Sequence, residues 1–123
     1  MTAGAIPILC VDGVLLATIH VDLDDRLAEV FQHDLLKRIE ATGAKAMVVD
    51  VTGLTEVDTY VARVLAETAA MARLMGARAV IVGLRPSVAA TLVRMRYFMS
   101  GVETALDVDA GLALLRTPAP AGR

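Results

Sequence analysis

Two short runs in this chain, residues 46–51 and 79–84, are apolar at nearly every position. A strand with one wetted face alternates apolar and polar residues. A strand without that alternation is covered on both faces, as in a parallel sheet packed between helices. The stretches flanking these runs carry apolar residues at helical spacing instead. Leu27, Phe31, Leu35 and Ile39 recur every four positions after the acidic pair Asp24-Asp25, and Gly43 is placed to end that helix. Val61, Val64, Leu65, Thr68, Ala72 and Met75 line one side of a second helix, closed by Gly76. Pro86 suits the first turn of a third helix, where its missing N–H costs nothing, and Val88, Leu92 and Met95 form that helix's inner stripe. A short strand over residues 103–106 leads to Asp107, a cap for a last helix carrying Val108, Leu112 and Leu115.

At the start of the chain, residues 6–11 and 14–20 are β-rich runs joined by Asp12-Gly13. That pairing predicts a hairpin, because a type I′ turn needs φ > 0 at both central residues. The order is therefore hairpin, then α-β-α-β-α-β-α. It predicts an α/β fold with a mixed, mostly parallel five-stranded sheet, an opening antiparallel hairpin and about four helices. Residues 1–123 read as a single domain with an ordered core over about residues 6–115, and the Pro-Ala-Pro-Ala-Gly stretch within 117–123 reads as a flexible tail.

Composition narrows the function. Apolar residues make up 56% of the chain and the mean hydropathy is +0.61, which raises the question of a membrane span. A span needs roughly 20 continuous apolar residues, and the runs here have the length of strands. No signal peptide is read at the start, and the single cysteine, Cys10, excludes an internal disulfide framework. The expected compartment is the cytoplasm. The formal net charge is −2, with two Phe, two Tyr and no Trp, so a basic, aromatic nucleic-acid surface is not expected.

Most catalytic patterns are missing. His20 and His33 lie far apart, and although Glu29 sits one turn before His33, no third ligand completes a metal set. Cys10, within a predicted strand, reads as a buried thiol. Asp50 ends a buried strand as a receiver-domain phospho-acceptor does, but the only lysines, Lys37 and Lys45, come too early for that family's phosphate-holding Lys. There is no Gly-rich phosphate loop and no nucleophile elbow. The expectation is a non-enzyme without cofactor or metal.

One segment stands apart. Residues 50–60, Asp-Val-Thr-Gly-Leu-Thr-Glu-Val-Asp-Thr-Tyr, hold three threonines and three acids just before the second helix. Capping is one account: Thr55-Glu56-Val57-Asp58 resembles a capping box with Asp in place of Glu, and either Asp58 or Thr59 is a capable cap alone. A phosphorylatable hydroxyl is the other, because a helix N-terminus offers free N–H groups and the positive dipole end to a phosphate. One residue can serve both accounts.

Asp58-Thr59 after a strand ending Val-Val-Asp-Val-Thr resembles the Asp-Ser signature of the STAS family, named for sulfate transporters and anti-sigma-factor antagonists. Leu23-Asp24-Asp25, Phe31-Gln32-x-Asp34-Leu35-Leu36, Thr42-Gly43-Ala44, Leu74-Met75-Gly76-Ala77, Pro86-x-Val88-Ala89-x-Thr91-Leu92 and Glu103-Thr104-Ala105-Leu106-Asp107 extend the likeness over about residues 6–115, and within the family to the RsbR/RsbS group of the bacterial stressosome. The resemblance implies a STAS fold and a scaffold that holds an RsbT-like serine/threonine switch kinase until the hydroxyl after the Asp, here Thr59, is phosphorylated. Asp58 and Tyr60 would flank that site as partner contacts. It also implies a homo-oligomer of at least a dimer, an RsbR-like STAS paralogue as co-assembly partner, a metal-dependent phosphatase for reset, and a part in the general stress response. The chain has no room for the extra N-terminal sensor domain of the RsbR type, which favours the short RsbS type. Thr59 stands where Ser is usual; Thr keeps the oxygen and adds a methyl. A one-to-one anti-sigma-factor antagonist and a small-ligand or nucleotide-binding STAS domain are the alternatives.

Overall fold

The structure, a computed structural model, describes residues 6–20, 22–94 and 102–119. Two strands, β1 (Ile8–Val11) and β2 (Val14–Thr18), form the opening hairpin, with Ile8 opposite Ala17 and Val11 opposite Val14. Asp12 and Gly13 have φ of 52° and 79°, the paired left-handed geometry that the Asp-Gly turn requires. Then follow α1 (Asp25–Thr42), β3 (Ala46–Asp50), α2 (Thr59–Leu74), β4 (Arg78–Val82), α3 (Pro86–Arg94), β5 (Glu103–Ala105) and α4 (Val108–Leu115). The sheet order is β1-β2-β3-β4-β5, and every pair after the hairpin is parallel. Pairing outlasts the assigned strands at their C-terminal ends: Ile19 N–H donates to the Asp50 carbonyl and Val51 N–H to the Val82 carbonyl, each at 2.9 Å.

Alternation along the strands divides the core in two. Leu15, Ala17, Met47, Val49, Ala79 and Ile81 face one side, where they pack with Phe31, Leu35 and Ile39 of α1, Val61, Val64 and Leu65 of α2, and Val88 and Leu92 of α3. Val48, Val80 and Val82 face the other side, against Val108, Leu112 and Leu115 of α4. Both faces of β3 and β4 are therefore covered, which is why their sequences do not alternate. Burying one side chain such as Leu35 contributes about 1.5–3 kcal/mol.

The caps follow the sequence. Asp24 accepts from Leu27 N–H at 2.7 Å, and Gly43, with φ of 65°, closes α1 by donating its N–H to the Ile39 carbonyl. Asp107 accepts from Ala110 N–H at 2.9 Å.

Several expectations need correction. Cys10 is exposed, not buried, because β1 is an edge strand and leaves most of its surface open. Met75 is not on the inner side of α2; it is the exposed C-cap residue, past the last turn that faces the core. Leu84 and Leu106 lie outside the strands, and Leu106 is 84% exposed. Met95 falls outside the described residues, as does part of the predicted tail, 120–123. No helix among the described residues is long and apolar enough to cross a membrane.

Candidate functional site

The loops after β2, β3 and β4 leave the sheet at its C-terminal edge, where the N-termini of α1 and α2 also lie. The loop from Val51 to Asp58 is tied down along its length. Leu54 is fully buried beneath it, and Leu54 N–H donates to the Val51 carbonyl at 2.9 Å. Gly53 sits against the preceding loop so closely that a Cβ there would collide with the Ile19 carbonyl oxygen. From α3's entry, Arg85 Nε donates to the Thr52 carbonyl at 2.8 Å and Ser87 Oγ to the Thr55 carbonyl at 2.7 Å. From the loop after β2, Asp22 accepts from Thr55 N–H at 3.1 Å and from its hydroxyl.

The three threonines of the segment are thus in different circumstances. The Thr52 hydroxyl donates to Asp50 at 2.6 Å, and the same carboxylate accepts from Thr52 N–H at 2.9 Å. Thr55 is held by Asp22. Thr59, the first residue of α2, is exposed, and its hydroxyl meets no hydrogen-bond partner among the described residues. Asp58 alone performs the cap, with extended backbone and its carboxylate accepting from Val61 N–H at 2.8 Å. The capping box over 55–58 does not form, because Thr55 is turned to Asp22 and Asp58 serves as the cap and not as the box's far end.

Around Thr59 the surface is acidic. Asp25 at the start of α1 faces Asp58; lost hydration and that neighbouring carboxylate raise the Asp25 carboxyl above its ordinary value. Tyr60, half-buried, donates its phenol to the Glu29 carboxylate, and this bond, with lost hydration, raises the phenol above its ordinary value. The Arg63 guanidinium lies over the Tyr60 ring, 5.4 Å from its centroid. Glu29 is thereby engaged across the α1–α2 junction. No group of three or more metal-ligating side chains occurs among the described residues, and both His20 and His33 are exposed.

The predicted residues Asp58, Thr59 and Tyr60 do lie together, on one helix end. Asp25, Glu29, Arg63 and the loop ties Asp22, Arg85 and Ser87 are added to them by the fold. Of these only Arg63 carried a local signal, its i+4 spacing from Thr59; the rest come from other elements.

The profile of the STAS domain matches residues 5–110. The chain belongs to the STAS family. Among solved structures, a glutamate-for-serine variant of RsbS from Moorella thermoacetica is similar, with a TM-score of 0.82 and 37% identity, covering 90% of this chain and 94% of that one. A chain of the stressosome, described as a signal integration and transduction hub, is similar with a TM-score of 0.74 and 35% identity, covering 89% of this STAS domain and 96% of that chain. Of the curated proteins, the RsbT co-antagonist protein RsbRA of Bacillus subtilis (strain 168) is 26% identical over 112 residues, 91% of this chain. The STAS chain spans about 40% of the length of the curated relatives it matches. The expected fold and the stressosome likeness both stand.

Proposed function

We propose that this STAS domain is a non-catalytic, phospho-switchable scaffold of a bacterial stressosome. In its unmodified form it sequesters an RsbT-like switch kinase in the cytoplasm. Phosphorylation of Thr59 releases the kinase to drive the general stress response, and a metal-dependent phosphatase resets the domain. It assembles with itself and with an RsbR-like STAS paralogue. The observation that carries this reading is the Thr59 hydroxyl: it is exposed and without a hydrogen-bond partner among the described residues, at the helix start that follows a tied-down loop, while the hydroxyls of Thr52 and Thr55 are already engaged. Similarity to RsbS, to a stressosome chain and to an RsbT co-antagonist supports the same reading.

The chemistry is local. A phosphate adds about −1.5 to −2 charge to a surface already holding Asp24, Asp25, Glu29 and Asp58. A partner face matched to a neutral hydroxyl must then desolvate a dianion among carboxylates, which weakens docking without unfolding the domain. Asp58 and Tyr60 serve as flanking contacts.

The test is a set of three proteins with the cognate kinase and ATP. Wild type should gain one phosphate. Thr59→Ala should gain none, should still bind the kinase, and should cost less than about 0.5 kcal/mol because Thr59 is not the cap. Thr59→Glu should stay folded, helped by its place at a helix N-terminus, and bind the kinase more weakly. Phosphate found only on Thr52, Thr55 or elsewhere, with Thr59→Ala labelled normally, defeats the assignment. A one-to-one kinase complex with no larger particle formed with the paralogue would mark an anti-sigma-factor antagonist instead.

A further inference from the structure

We propose that Arg63 is the internal counter-ion of phosphorylated Thr59, so that modification moves a guanidinium as well as adding a charge. This rests on Thr59 being the modified residue. The first two turns of α2, Thr-Tyr-Val-Ala-Arg-Val-Leu-Ala, contain one charged side chain, Arg63. It follows Thr59 by four positions, the spacing that makes two helical side chains neighbours. Helical side chains also lean toward the N-terminus and cover the turn before their own Cα. Arg63 does so here: its guanidinium already lies over the ring of Tyr60, within the first turn.

Its present attachment is weak. Nε of Arg63 is 3.8 Å from the Glu67 carboxylate, and the two side chains are 48% and 55% exposed. Such a pair contributes little and rearranges readily. A phosphate offers more, because a guanidinium can hold two of its oxygens at once through charge-assisted bonds. The side chains shown facing that helix end from α1 are acids, Asp25 and Glu29, and Asp58 precedes it on the loop. Arg85, the cation tied to that loop, is held by the Thr52 carbonyl. The acids oppose a dianion and leave Arg63 as its partner on α2. Drawing Arg63 to the phosphate takes it off the Tyr60 ring and off Glu67, so the partner meets a rearranged helix face.

The test uses protein carrying phosphothreonine at position 59 installed by genetic code expansion, followed by phosphorus NMR across the second ionisation of the phosphate. In Arg63→Gln that ionisation should move up by about half a pH unit relative to the unsubstituted protein. Arg63→Lys should recover part of the shift, since it keeps the charge but not the fork. Arg73→Gln, on the last turn of the same helix, should leave the titration in place. Superimposable curves for the unsubstituted protein and Arg63→Gln would overturn the pairing, and so would an equal rise in Arg73→Gln, which would mark a general charge effect. Circular dichroism of each unphosphorylated variant guards against unfolding. Because the phosphate is installed without a kinase, an unshifted titration in Arg63→Gln refutes the Arg63 pairing alone. A kinase that ignores Thr59 refutes the switch alone.

Discussion

An aspartate at an N-cap is ordinarily favourable, yet Asp58 has a second carboxylate, Asp25, for a neighbour. The two helix starts it joins are both electropositive through their dipoles, which is what tolerates the acids there. The Asp25 carboxyl holds its proton more tightly in the folded chain than in the unfolded one. Its contribution to stability is therefore greatest at pH below its ordinary carboxylate value and is lost as pH rises through the raised folded value. Asp58→Asn separates charge from cap. Asparagine accepts the same bond from Val61 N–H and is an equally good N-cap, so stability should change little. The Asp25 carboxyl should titrate lower in that variant, as followed by carbon NMR of its side chain. An unchanged Asp25 titration would show that Asp58 has no electrostatic hold on it, and that lost hydration with the Asp24 and Glu29 carboxylates raises it.

Strands and helices differ in how openly their sequences announce them. β3 and β4 were legible because burial on both faces leaves an unbroken apolar run, and α1 because its stripe spans the whole helix. Hydrogen exchange should accordingly be slowest in 46–51 and 79–84, and rapid exchange there would contradict the central placement of these strands. Edges and ends were less legible. Cys10 looks like a core residue by type, but its exposure depends on whether a helix covers the sheet face at that point of β1, which no local pattern encodes. Met75 fits the helical period but lies past the turn where α2 leaves the core. Arg78 stands just before the predicted strand 79–84. In fact it opens β4, where it pairs with Glu103 of β5 at 2.6 Å and holds the Thr117 carbonyl beyond α4 at 2.7 Å. The proposed phospho-acceptor, Thr59, was visible as a threonine at a helix start. What separates Thr59 from Thr55 was not, because Asp22, the partner that occupies Thr55, lies 33 positions away in the chain, whereas Thr52 is held by the nearby Asp50.

On the scale of the molecule, apolar side chains remain at the surface in several places: Leu9 on β1, Leu74 at the end of α2, Val93 on α3 and Leu106 before α4. Leu74 is 89% exposed, although Ala69 and Ala72 of the same Ala-rich stretch are packed inside. Scattered singly, such residues are ordinary on a protein surface; the proposed scaffold role is what predicts at least a dimer in sedimentation at micromolar concentration. A monomer at every accessible concentration would count against a scaffold. The strand order carries a different consequence. Because the sheet runs β1 to β5 in chain order, each new strand is laid beside the one made just before it, and none is inserted between two earlier strands. Each parallel pairing still spans a whole crossover helix, as Val14 with Ala46 and Ala46 with Arg78 do, so the pairings are non-local, but none has to wait for a strand made later. As the polypeptide leaves the ribosome, the hairpin is complete first. Every later β-α unit then finds its docking edge already exposed and waiting, so this domain can assemble in the order in which it is translated.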